Sequence, residues 1–304
     1  MPFVSRPFLP ALALCAGLAA SLAFGQSSVA AQEKVSFPST DGDLRGGTPT
    51  MLTGFLYRPE GPGPFPAVVV LHGCGGLFAP NGRLYWVSAQ WGDILSREGY
   101  VVLMPDSHGP RGAGDLCATL PGNRPAETDR ERPRDAYGAL AFLQSRPDVR
   151  GDKVAVLGQS AGAETIFWAI ARSTRPAGVS PERDFRAAVA FYPNCPPFLS
   201  REAGSDWAPR LPLLVLMGEA DNFALASLCK LLLARAAEAG GAPVEAHFYP
   251  GAHHAFDAPN VPLRVLTHVK VPPDGHSPTV GTNSEARADA IARVERFLAT
   301  YLKQ

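Results

Sequence analysis

The sequence predicts an α/β fold, a central, mostly parallel sheet flanked by helices on both faces. Three observations carry this expectation. Short continuous apolar runs such as AVVVLH (67–72), YVVLMPD (100–106) and LPLLVLMG (211–218) have the composition of strands buried on both sides. Segments with helical spacing of apolar residues alternate with these runs. Glycine and proline, 30 of each in 304 residues, interrupt the chain too often for a helical bundle.

In chain order, LTGFLYRP (52–59) is an early strand, ended by the Gly61-Pro62-Gly63-Pro64 hinge. AVVVLH follows, then a helix over 84–97 with Trp86, Ile94 and Leu95 among its apolar positions. YVVLMPD is the next strand, and 134–144 a helix with Tyr137, Leu140 and Leu143 three apart. VAVLG (154–158), AAVAFYP (187–193), LPLLVLMG and VEAHFYPG (244–251) complete the strands. Helices are expected at 161–172, 226–239 and 285–302. Residues 257–283 form a long proline-rich loop, and loops of that length are usually functional or mobile. No internal repeat or composition break divides residues 34–304, so one domain is expected there.

Lysine plus arginine and aspartate plus glutamate are balanced at 28 each, and no basic run occurs. This leaves no electrostatic footprint for nucleic acid or an anionic membrane. The first residues have the form of a secretory signal. Arg6 is followed by an uncharged stretch from Phe8 to Phe24, then by small residues offering cleavage after Gly25 or near Ala30 and Ala31. The stretch approaches the ~20 residues of a membrane span, but Pro10 and the alanine-rich tail favour a signal over about residues 1–31. Leu14 before Cys15 argues against a lipoprotein site. A periplasmic or secreted protein with no membrane anchor after cleavage is the expectation, and disulfides are then permitted. Cys74, Cys117, Cys195 and Cys229 remain, with three possible pairings.

Ligands of such sheets bind beyond the carboxyl ends of the strands. There the chain places Gly73-Cys74-Gly75-Gly76, Asp106 to Gly112, Gln159-Ser160-Ala161-Gly162, Glu219-Ala220-Asp221 and Ala252-His253-His254. Serine, aspartate and histidine thus follow one another, in the order of an α/β-hydrolase triad. A serine hydroxyl becomes nucleophilic when an imidazole takes its proton and a carboxylate orients that imidazole. Ser160, in Gly-Gln-Ser-Ala-Gly, is the expected nucleophile and Asp221 the expected acid, with Glu219 and Asp257 as alternatives. His254 is preferred over its neighbour His253 as the base, while His72 is expected to shape its own loop. Backbone N–H groups of Ala161 and Cys74 would form an oxyanion hole. The alternative for Gly-Cys-Gly-Gly is an ordinary tight turn; a phosphate loop lacks its Gly-Lys-Ser/Thr ending. The histidines show no metal-ligand spacing, and neither metal nor cofactor is expected.

Together, HGCGGL, MPDSHGPRG, GQSAGA, MGEADNF and YPGAHHAF resemble the dienelactone hydrolase family of α/β-hydrolases over most of residues 50–300. The resemblance implies the α/β-hydrolase fold, a triad of Ser160, Asp221 and His254, an oxyanion hole at Cys74 and Ala161, and no large lid domain. It also puts Arg111 near an arginine that binds a substrate carboxylate, though pairing with Asp106 or capping a helix would equally account for it. In this fold Cys74 and Cys117 follow neighbouring strands, and Cys195 and Cys229 two others, so bridges 74–117 and 195–229 are expected. The best-known members carry a cysteine where this chain has Ser160, and a glutamate where it reads Gly73-Cys74. Both departures favour a broader serine esterase acting on small ester or lactone substrates. Alternatives are a peptidase, thioesterase or polyester hydrolase on the same triad, or a silent hydrolase fold used for binding. Nothing in the sequence specifies an oligomeric state.

Overall fold

The structure, a computed structural model, describes residues 1–4, 31–200, 207–271 and 274–304. The expected signal therefore lies outside the described residues, apart from residues 1–4 and 31 at its two ends. Eight strands form one sheet: β1 (Ala31–Pro38), β2 (Met51–Arg58), β3 (Phe65–Leu71), β4 (Val101–Asp106), β5 (Val149–Gln159), β6 (Ala188–Phe191), β7 (Leu213–Gly218) and β8 (Val244–Tyr249). Their spatial order is β1-β2-β4-β3-β5-β6-β7-β8. The pairs β1–β2 and β2–β4 are antiparallel and the rest are parallel.

The apolar runs form central strands because both sheet faces are covered. Side chains alternate across a strand. Val69 and Leu71 accordingly join the core beneath α2 (Glu131–Gln144), α3 (Ala161–Ile170) and α4 (Ala226–Glu238). Val68 and Val70 join the core beneath α1 (Trp86–Arg97) and α5 (Ser284–Leu302). Among the described residues, no helix is long and apolar enough to cross a membrane.

Three strands differ from expectation. β1 was not foreseen, because as an antiparallel edge strand it buries one face only, through Val35 and Phe37. Within the long loop, β9 (Arg264–Val265) and β10 (Thr279–Val280) pair in a short antiparallel ladder. That ladder is fastened to the site loops: the Asn222 side chain accepts from the Thr279 N–H at 2.8 Å, and Gly281 N–H donates to the His254 carbonyl at 3.1 Å.

The order β4-β3-β5 makes β3 and β5 neighbours from which the chain departs in opposite directions. A cleft opens at such a switch point. The Gly73–Gly76 turn follows β3, and Ser160 follows β5.

Candidate active site

Ser160 sits between β5 and α3 with φ 54° and ψ −118°, a strained conformation for a residue with a side chain. Its N–H donates to the Phe191 carbonyl of β6 at 2.9 Å, which holds the bend against the sheet. The flanking glycines are needed for close approach rather than for a left-handed backbone. A Cβ on Gly158 would lie 2.6 Å from the Gly162 backbone, and one on Gly162 would overlap the Leu71 carbonyl oxygen.

The structure brings Ser160, His254 and Asp221 into one hydrogen-bonded chain. Nε2 of His254 is 3.0 Å from Ser160 Oγ, and its Nδ1 is 2.8 Å from Asp221 Oδ2. The other carboxylate oxygen, Oδ1, accepts the N–H groups of Phe223 and Ala224 at 2.8 and 2.9 Å. With Nδ1–H donating to Asp221, Nε2 is left free to accept the serine proton. His254 lies between the rings of Tyr192 and Phe223, with centroids 4.4 and 4.8 Å away. Among the described residues, His253 has no hydrogen bond to Ser160 and its buried Nδ1 has no partner. Glu219 pairs instead with Lys230, and Asp257 is buried elsewhere in the site.

Ala161 is the first residue of α3, where backbone N–H groups lack intrahelical partners. The turn after β3 passes close to the serine: a Cβ on Gly73 would lie 3.7 Å from Ser160 Cβ. Cys74 and Ser160 line the same cavity of about 230 Å³, together with Trp86, Val87, Val261 and Leu266. A second cavity of about 390 Å³ adjoins it, sharing Gly75, Gly76, Tyr85 and Asp115. His72 shapes its loop, as expected. Its Nδ1 is 2.7 Å from the Gly73 carbonyl, Nε2 accepts the Ser107 N–H, and burial keeps its pKa well down. Disulfides join Cys74 to Cys117 and Cys195 to Cys229, with Cα separations of 4.8 and 5.1 Å. Among the described residues, no group of three or more His, Cys, Asp or Glu could hold a metal ion.

Arg111 is not among the residues lining this cavity; of its two readings the structure shows an ion pair, with partners other than Asp106. Its guanidinium forms a bidentate pair with Asp135 and a further bond to Asp41, each at 2.8 Å, and its side chain is 2% exposed. Two carboxylates take the fork's terminal Nη donors, while its buried Nε has no partner among the described residues. Arg111→Met is expected to cost about 3 kcal/mol of stability, since it strands two buried charges. Ester KM should stay near the wild-type value; urea unfolding and steady-state kinetics check both halves.

Two pocket residues escaped sequence reasoning, Tyr192 and Phe223; the long loop, expected to be functional or mobile, adds a wall at Val261, Arg264, Leu266 and Val280. The length and proline content of 257–283 were the one available signal for that wall.

A model of the dienelactone hydrolase family matches residues 52–302. No curated protein sequence matches the chain. Among solved structures, a dienelactone hydrolase-like promiscuous phosphotriesterase from metagenomic libraries is 22% identical, over 89% of this chain and 99% of its own, with a TM-score of 0.63. Esterase 2 of Thermogutta terrifontis, phosphoramylated by tabun, is 17% identical over 88% of this chain and 94% of its own, at TM-score 0.57. An acylaminoacyl peptidase of Pyrococcus horikoshii is 16% identical over 91% of this chain and 42% of its own, at TM-score 0.61. These likenesses establish the α/β-hydrolase fold.

Proposed function

Because the chain belongs to the dienelactone hydrolase family, we propose that it is an exported serine hydrolase cleaving carboxylic esters or lactones. The observation that carries the reading is the relay from Ser160 Oγ through His254 to Asp221, at 3.0 and 2.8 Å. In this reading His254 takes the hydroxyl proton as Ser160 attacks the carbonyl carbon. The oxyanion of the tetrahedral intermediate is received by the N–H groups of Ala161 and Cys74. His254 then gives its proton to the departing alcohol oxygen. In a lactone that alcohol stays tethered to the acyl group. Water, deprotonated by the same imidazole, releases the acid and restores Ser160. Asp221 orients the ring and stabilises its charged form throughout.

The apolar walls from Trp86, Val87, Val261 and Leu266 suit an uncharged, apolar acyl or alkyl group. The expected result is that the wild type hydrolyses p-nitrophenyl butyrate and acquires a fluorophosphonate adduct on the peptide containing Ser160, and that Ser160→Ala does neither. A folded wild type that remains unlabelled overturns the reading.

Export is supported by Arg6 with the apolar stretch behind it, and by the two disulfides, which persist in oxidising compartments. N-terminal sequencing of the protein from its native cells should find a start near residue 26 or 32. A start at Met1 in the cytosolic fraction sinks this part.

A further inference from the structure

Behind the serine and histidine lies a second carboxylate that the mechanism above does not use. Asp257 is fully buried, three residues past His254 in the chain. Its Oδ2 accepts the Trp91 indole N–H and the Gln159 amide Nε2–H, both at 2.9 Å, and its Oδ1 accepts the Tyr192 hydroxyl at 2.6 Å. Among the described residues, no guanidinium or ammonium touches this carboxylate. Arg287 reaches the backbone carbonyl instead, alongside the Gln90 amide. Three neutral donors converging on an acceptor-only group are the arrangement of a buried carboxylate satisfied by dipoles.

The donors are the residues that frame the reacting atoms. Gln159 immediately precedes the nucleophile, and among the described residues its amide oxygen has no partner, so Asp257 is its one side-chain anchor there. Tyr192 has φ 39° and lays its ring against His254. A side chain in that backbone conformation persists only where its surroundings over-determine it. The hydroxyl bond to Asp257 supplies part of that constraint. One carboxylate therefore ties the elbow, the ring wall of the imidazole and the loop that carries the imidazole.

We propose that Asp257 is a positioning residue of the hydrolytic site, fixing Ser160 and His254 in one frame through Gln159 and Tyr192. The inference rests on the serine-hydrolase reading of the same site.

The test compares Asp257→Asn and Tyr192→Phe with wild type in p-nitrophenyl butyrate hydrolysis, with circular dichroism and thermal unfolding as the check of folding. Misplaced catalytic groups lose rate rather than ground-state binding, so kcat should fall about 30-fold in Asp257→Asn and about fivefold in Tyr192→Phe, with KM within about twofold. A folded Asp257→Asn with wild-type kcat overturns the proposal, and so does a loss that falls on KM rather than on kcat. Should Asp257→Asn fail to fold, wild-type kcat in Tyr192→Phe overturns it. An inert wild type defeats the hydrolase reading instead, whereas an active wild type with indifferent variants defeats this inference alone.

Discussion

Replacing His254 by alanine is expected to lower kcat/KM for a short ester by about ten-thousand-fold, while His253→Ala stays within about threefold of wild type. Adjacent histidines make this contrast sharp. Both carry the same chemistry on the same loop, yet Nε2 of His254 alone sits 3.0 Å from Ser160 Oγ with a carboxylate behind Nδ1. His253 shows neither contact among the described residues. Without the imidazole, the serine proton has no acceptor, and attack at neutral pH falls back on whatever the oxyanion donors and substrate binding supply. Both variants leave Asp221 bound to the Phe223 and Ala224 N–H groups, so its loop keeps an anchor. Steady-state kinetics together with the fluorophosphonate labelling rate make the measurement. Equal losses in the two variants would remove the assignment of His254 as base.

The candidate site was legible because its chemistry is written locally. A strand, a small-residue turn and a helix start identify Ser160, and the ends of later strands offer Asp221 and His254 in turn. What stayed illegible depends on partners far along the chain. Asp257 meets Tyr192, Gln159 and Trp91 across 65, 98 and 166 residues, and no local pattern encodes such meetings. Read alone, Asp257 was a spare acid candidate. Arg111 was illegible in the same way, since its partners Asp41 and Asp135 lie 70 and 24 residues away, while Asp106, close by in the sequence, instead accepts the N–H groups of His108 and Gly109. The fold divides along a similar line. Doubly buried strands announce themselves by composition, whereas β1 buries one face and the β9–β10 ladder is two residues per strand.

The second large effect concerns the elbow itself. Gly162→Ala is expected to destabilise the protein by about 3 kcal/mol or more, and to reduce kcat severely in whatever folds. The added methyl would overlap the Leu71 carbonyl oxygen and lie 2.8 Å from the His72 carbonyl oxygen. These are backbone atoms of β3 and the turn after it, so no side-chain rotation relieves the clash. Either α3 backs away from the sheet or the turn beyond β3 moves. The first displaces Ser160 and the Ala161 N–H; the second displaces Cys74, the other proposed oxyanion donor. Stability and catalysis are thus coupled through one missing methyl group. Gly114→Ala is the control, because nothing lies within 4 Å of its added Cβ and its φ is not positive, and its stability should change by less than about 0.5 kcal/mol. Urea unfolding of both variants, with kcat measured on the folded fraction, decides the matter. A Gly162→Ala protein as stable and as active as wild type would show that the small residues flanking Ser160 are incidental to the bend.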